Sequence, residues 1–345
     1  MRLFLALAFL VTPSLASPAL ANDGFGGLSA TGLTFSQTDA IAMETEDLFI
    51  GIDRITVDYT FRNTTSADVT GEVIFPLPPV HVGFILESQW NLPEDPDRPN
   101  LVNFTATVDG APVTLTIDRI AVVEPPYDEA RPLSAQYDTP GRDVTADMAR
   151  LGLPLSLNAE TVIAAMAALT PAQRDEAASL GLAEFSEGYA YPNWSIVLRY
   201  HWTQTFPAGK VMQISHAYEN RSGGGIFGWS HPPEDYQQYA VDQYCIDEGT
   251  SKGLVKALTQ TPEDAGEPYS MGMSWNIAYV LRTANSWAGP IGRFKLTIDK
   301  GDVRNILSLC ADGITKTGPT TFVMEKTDFT PMQDLQILIA MPMVN

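Results

Sequence analysis

The sequence predicts a mainly β protein: two packed β-sandwich modules of immunoglobulin-like kind with a helical insertion between them. Three observations carry this. Apolar and polar residues alternate with a period of two over short stretches. Turn residues recur roughly every ten residues, the spacing of short sandwich strands. One region, 143–188, changes to helical spacing. The expected division is a signal peptide at 1–21, an N-terminal β-sandwich module at 22–142, the helical insertion at 143–188, and a C-terminal β module at 189–345 with one helix over about 235–258.

The strands follow in order. Residues 47–52 form one. In 54–62, Ile55, Val57, Tyr59 and Phe61 point one way and Arg54, Thr56, Asp58, Thr60 and Arg62 the other, which marks a strand with one buried face. Asn63-Thr64-Thr65-Ser66 turns the chain and 69–75 returns. Pro76, Pro78 and Pro79 remove ladder donors and stop it, and 82–86 continues as a strand. Residues 91–100 are an acidic, proline-rich loop. Segments 102–108 and 112–120 read as a hairpin around Asp109-Gly110, a pair that accepts the positive φ of a tight turn. Residues 124–142 read as a long surface loop. Helical spacing holds over 144–151, 158–169 and 171–180, with Thr170 as N-cap, Pro171 in the first turn and Gly181 at the end. Strands resume at 195–205 and 210–218 around Pro207-Ala208-Gly209, then at 271–283, 291–298, 303–309, 320–325 and 335–341.

The chain begins MRLFLALAFLVTPSLASPALA. Arg2, the apolar stretch 3–11 and the small-x-small Ala19-Leu20-Ala21 have the form of a secretory signal cut between Ala21 and Asn22. The apolar stretch is too short to span a bilayer, and no later one is long enough. The formal net charge is -20, and losing the signal with its lone Arg2 makes it one more negative. Such a surface repels nucleic acid and anionic lipid, so neither is expected as a partner. Two cysteines, Cys245 and Cys310, lack CxxC or CxxH neighbours; in an oxidising compartment they are expected to form a disulfide.

No GxSxG, HExxH, SxxK, Walker A or EF-hand pattern occurs, and no catalytic residue or cofactor is assigned. Two constellations remain. If the turn after Phe206 joins directly paired strands, Phe206 faces Val211 and His201 faces His216. Such a pair holds a metal if further ligands join it, and is otherwise a cross-strand packing pair. The second lies in 223–244, a Gly-rich start followed by Phe227, Trp229, His231, Asp235, Tyr236 and Tyr239. Rings beside carboxylates suit a sugar or peptide groove, because rings stack on apolar faces while carboxylates fix hydroxyls or amines. The acidic turns 94–97 and 299–302 fit either Ca²⁺ or solvent.

Asn22-Asp23-Gly24, Gly27-Leu28, the run 41–48, Val57-Asp58-Tyr59-Thr60-Phe61-Arg62-Asn63, Phe75-Pro76-Leu77-Pro78, Phe206-Pro207-Ala208-Gly209, Gly289-Pro290-Ile291 and Cys310 together resemble the bacterial family Domain of Unknown Function 4424. The resemblance implies an exported, β-rich bacterial protein of unassigned activity, and carries over no catalytic residues. Tyr59-x-Phe61-x-Asn63, Phe75-Pro76-Leu77-Pro78 and Phe84 are also similar to the vault/inter-alpha-trypsin domain, whose usual companion with a DxSxS metal site is absent. The expectation is therefore a periplasmic or secreted binding or interaction protein of the cell envelope, without catalysis, acting on a ligand or protein partner. Two alternatives stay open: an envelope hydrolase with its site near the aromatic loop or the His201/His216 pair, and a structural or assembly factor.

Overall fold

The computed structural model describes residues 24–29, 32–35, 38–87, 90–126, 128, 141–260 and 268–343. The expected signal peptide and its cut lie outside these residues. The protein is mainly β, with several sheets and few helices. Among the described residues the strands form an eight-stranded, a seven-stranded and a five-stranded sheet and one separate hairpin.

The eight-stranded sheet runs Thr315–Lys316, Thr321–Phe329, Ile291–Asp299, Ile41–Ile50, Arg54–Asn63, Val211–Glu219, Thr105–Val108, Ala111–Pro112. Its pairs are antiparallel except Ile291–Asp299 against Ile41–Ile50. The alternation expected in Arg54–Asn63 is present: Ile55, Val57, Tyr59 and Phe61 are buried. Register places Val57 beside Leu48, and Leu48 beside Leu296, so one apolar face continues across these strands.

That face is covered by two sheets. The seven-stranded sheet centres on Ser195–Phe206, flanked by Thr116–Val123 and Val69–Pro76. Aromatic rings close the gap between the layers: Phe61 meets Phe206 edge-on at 6.1 Å, and Phe75 stacks on Phe104 at 4.6 Å. The five-stranded sheet is ordered Gly223–Gly228, Tyr269–Tyr279, Leu335–Pro342, Ile306–Leu309, with the short Thr259–Gln260 also paired to Tyr269–Tyr279. In Leu335–Pro342, Ile337 and Ile339 enter the main core, while Leu338 and Ala340 meet Trp229, Tyr244, Leu254 and Leu258 in a second core under the helices Gln238–Tyr244 and Glu248–Leu258. Burial on two faces is why residues 337–341 of this strand read as an unbroken apolar run.

The sheets do not follow the expected module boundaries. Ser195–Phe206 sits between strands that precede the insertion, and Ile291–Asp299 lies beside Ile41–Ile50. The two-module, immunoglobulin-like division is thus replaced by sheets that draw on both ends of the chain. A period of two reports that one face is buried; it does not name the neighbour.

Both expected long hairpins are corrected. Asp109 and Gly110 have φ of 48° and 80°, the turn anticipated, but across that turn Thr105–Val108 meets only the two residues Ala111–Pro112 before Thr116–Val123 crosses to the seven-stranded sheet. Likewise Ser195–Phe206 and Val211–Glu219 lie in different sheets. The turn between them arches across the sandwich. Asn63 pins it, its backbone N–H donating to Lys210 O at 3.0 Å and its Nδ2 to Phe206 O at 2.8 Å.

The insertion holds the helices Thr145–Leu151, Ala159–Ala168 and Pro171–Ser179. Thr170 and Gln173 form a reciprocal capping box, and Pro171 stands in the first turn. Residues 82–86, expected as strand, belong to the helix Val82–Glu87; a five-residue apolar run has no period that separates the two states. The single helix expected over 235–258 is interrupted. Cys245 takes φ 51° and ends Gln238–Tyr244, then Asp247 caps Glu248–Leu258 by accepting from Thr250 N–H at 2.6 Å.

Candidate functional site

Cys245 and Cys310 are joined in a disulfide, linking the end of Gln238–Tyr244 to the end of Ile306–Leu309. This anchors the aromatic segment but does not make it a groove. Trp229 is buried; its Nε1–H donates to Ser251 Oγ at 3.0 Å, and Phe227 stacks on it at 5.7 Å. His231 Nδ1 lies 3.0 Å from the same hydroxyl. Asp235, Tyr236 and Tyr239 are exposed, and Gln237 beneath them is buried with its Nε2 donating to Gly228 O at 3.0 Å. The largest ring, expected to stack on a ligand, is therefore a core residue. Tryptophan identity alone did not distinguish the two roles.

The histidines are separated. His216 is buried between the sheets, its ring 5.2 Å from Phe75 and 5.3 Å from Phe104. Tyr200 shares that interior, contacting Phe104 at 5.0 Å, so alternation puts His201 on the opposite face of its sheet. The expected register with His216 does not occur: His201 pairs with Ile74 and Thr116, and His216 with Val57 and Ala106. Among the described residues, no three His, Cys, Asp or Glu side chains gather so as to hold a metal ion.

His201 instead lies between carboxylates, Nδ1 2.9 Å from Glu72 Oε2 and Nε2 3.3 Å from Asp118 Oδ2. Burial pushes the Glu72 carboxyl up, but hydrogen bonds from the Thr203 hydroxyl and the His201 ring hold it below the usual glutamate range. A carboxyl depressed in the folded state contributes stability above its unfolded value, about 4.3, and loses it as pH falls through the folded value. We therefore predict that the stability difference between wild type and Glu72→Gln, present at pH 7, shrinks below about pH 4. Urea melts at stepped pH check this, and parallel curves for the two proteins count against it.

A cavity of about 310 Å³ opens where the three large sheets meet. Pro78 and Pro79 lack backbone donors, so the chain after Val69–Pro76 leaves the ladder and becomes a wall with Leu77 and Val80. Trp90, Leu92, Leu101 and Val102, within and flanking the acidic loop, add to the lining. Phe75, Ile55 and Tyr218 come from the sandwich, and Ala278, Tyr279 and Val280 from the five-stranded sheet. Gly224 lets that sheet close: a Cβ there would stand 2.2 Å from Ser274 O.

One end of the cavity is polar, built by the consecutive residues Glu219, Asn220, Arg221 and Ser222. Glu219 accepts from Arg98 Nη2 at 2.9 Å, from Arg221 Nε at 3.0 Å and from Asn103 Nδ2. Burial pushes its carboxyl up; hydrogen bonds from Arg221, Asn103 and Arg98 hold it below the ordinary range. Arg98 is fixed in turn by Leu101 O, 2.6 Å from Nη2. Apolar walls with a small polar cluster at one end are the usual make-up of a small-ligand pocket. A second depression of about 420 Å³ lies over the insertion, lined by Leu86, Ile163, Met166, Phe185 and Tyr189, with Arg174 above the Phe185 ring.

The sequence did not single out Trp90, Arg98, Glu219 or Arg221. Arg98 lies in the acidic loop 91–100, while Trp90, Glu219 and Arg221 stand just outside the segments that the sequence marks. Their convergence depends on pairings between distant strands.

One solved structure similar to this chain is that of a candidate nutrient-binding protein from Legionella pneumophila subsp. pneumophila str. Philadelphia 1. It is 15% identical, with 92% of this chain and 72% of that chain covered and a TM-score of 0.39. No curated protein matches the chain. The likeness to the vault/inter-alpha-trypsin domain finds no support. The model of the family Domain of unknown function (DUF4424) matches residues 21–338, nearly the whole length, and the chain belongs to that family.

Proposed function

We propose that this protein is a non-catalytic binding protein of the bacterial cell envelope that takes a small, largely apolar ligand into the cavity at the junction of its three sheets. The cavity carries the reading: it is apolar on its walls, polar at one end and assembled from elements far apart in sequence. The envelope half rests on the signal-like N-terminus and on the disulfide, a bond that persists in oxidising compartments. Among the described residues no helix is long and apolar enough to cross a membrane.

Thermal shift with small apolar compounds tests the binding half. A ligand at a hundred times its dissociation constant adds about 2.7 kcal/mol. Spread over the unfolding entropy of a chain this long, that raises the melting temperature by about 4 °C. Ala278→Trp places an indole on the cavity wall and is expected to abolish the shift while the protein melts as before. A shift that survives in Ala278→Trp moves the ligand elsewhere. Recovery of the processed chain with the cytoplasmic fraction would sink the envelope half.

A further inference from the structure

We infer that the ligand of this cavity is an apolar monocarboxylate of medium chain length, with its head group received by Arg221. This rests on the cavity being the binding site and adds the chemical class of what it binds.

Charge comes first. The chain carries a net charge of -20, yet two guanidinium groups, Arg98 and Arg221, share one carboxylate, Glu219, at the polar end. That cluster has an excess of one positive charge in a molecule that is otherwise strongly acidic. An anion of a single charge balances it; a dianion overshoots, and a cation adds to the excess.

Donor geometry comes second. Arg98 is spent on Glu219 and on Leu101 O. Arg221 gives Nε and Nη2 to Glu219, and its Nη1 has no partner among the described residues. Guanidinium is the side chain best matched to a carboxylate, with a planar fork of donors. Beside it, Ser222 Oγ is withdrawn from solvent without a hydrogen-bond partner. An unsatisfied hydroxyl is costly unless something meets it, and a ligand carboxylate brings acceptors to that end.

Size and wall chemistry come third. A cavity of about 310 Å³ is at the small end of the range that takes compact organic ligands. Phe75, Leu77, Trp90, Leu92 and Ala278 line it and suit an unbranched hydrocarbon body. Octanoate combines the single negative charge with a compact apolar body.

Calorimetric titration of the oxidised protein with octanoate, 1-octanol and octylammonium tests this. Octanoate is expected to bind about ten-fold or more tightly than 1-octanol, the worth of hydrogen bonds to a charged group, and octylammonium more weakly still. Arg221→Ala is expected to bring octanoate down toward 1-octanol. Glu219→Gln removes the competing negative charge and is expected to tighten octanoate roughly threefold, a gain that a misfolded variant would not give. If 1-octanol matches octanoate and Ala278→Trp blocks both, the cavity binds ligand but the head-group assignment is overturned. If none of the three probes binds saturably, the cavity reading and this inference fall together.

Discussion

Trp229→Ala is expected to cost about 3–5 kcal/mol, the usual range for emptying a large aromatic from a packed interior. Trp229 is 3% exposed and sits in the smaller core with Tyr244, Leu254 and Leu258, above Leu338 and Ala340. Removing the indole leaves a void between the helix Glu248–Leu258 and the five-stranded sheet. It also deprives Ser251 Oγ, itself buried, of the Nε1–H donor. The melting temperature should fall by several degrees, and the urea midpoint should fall with it. Tyr236 and Tyr239, each 66% exposed, supply the contrast. Alanine at either should change stability by no more than about 0.5 kcal/mol, as for ordinary surface positions. Unchanged stability in Trp229→Ala, with ligand binding lost, would return this residue to the binding surface and overturn its place in the core.

The two tryptophans that decide the reading, Trp229 and Trp90, show what the sequence carries and what it does not. Local rules were legible. The faces of Arg54–Asn63, the Thr170 cap, the Asp109-Gly110 turn and the cysteine pair depend on residues close in sequence or on a choice between very few partners. Partner choice among strands was not. Nothing local to Phe206-Pro207-Ala208-Gly209-Lys210 distinguishes a hairpin from an arch between sheets. The deciding contacts are Asn63 to Phe206 and Lys210, more than a hundred residues away. The His201/His216 pair failed for that reason, since a wrong partner strand moves a side chain to another face of another sheet. The cavity was hidden in the same way. Trp90, Arg98 and Arg221 lie in segments that look like ordinary loops until three sheets bring them together.

Reduction of Cys245–Cys310 is expected to cost about 4 kcal/mol in the chain-entropy model, because the bond spans 65 residues. On a chain of this length that lowers the melting temperature by about 6 °C. A Cys245→Ser/Cys310→Ser variant should melt where the reduced wild type melts, and reductant should leave the variant unmoved. Two mechanisms give that loss, and the denaturant slope separates them. If the bond acts on the unfolded chain, breaking it lets the unfolded state expand, and the urea m-value rises as the midpoint falls. If instead it holds the folded helices Gln238–Tyr244 and Glu248–Leu258 over the small core, the m-value stays while local exchange of their amides quickens. The cavity decides which matters for function. Ala278, Tyr279 and Val280, which form one of its walls, lie inside the disulfide-closed segment on and after the strand Tyr269–Tyr279, and that strand is hydrogen-bonded on both sides, to Gly223–Gly228 and to Leu335–Pro342. The ladder to Leu335–Pro342 reaches Ala278 and Tyr279 directly, opposite Gln336 and Leu335, and holds the wall without help from the disulfide. Reduced and oxidised protein should therefore bind the same ligand with the same affinity well below either melting point. A fall in affinity on reduction at low temperature would mean that the bond shapes the cavity itself.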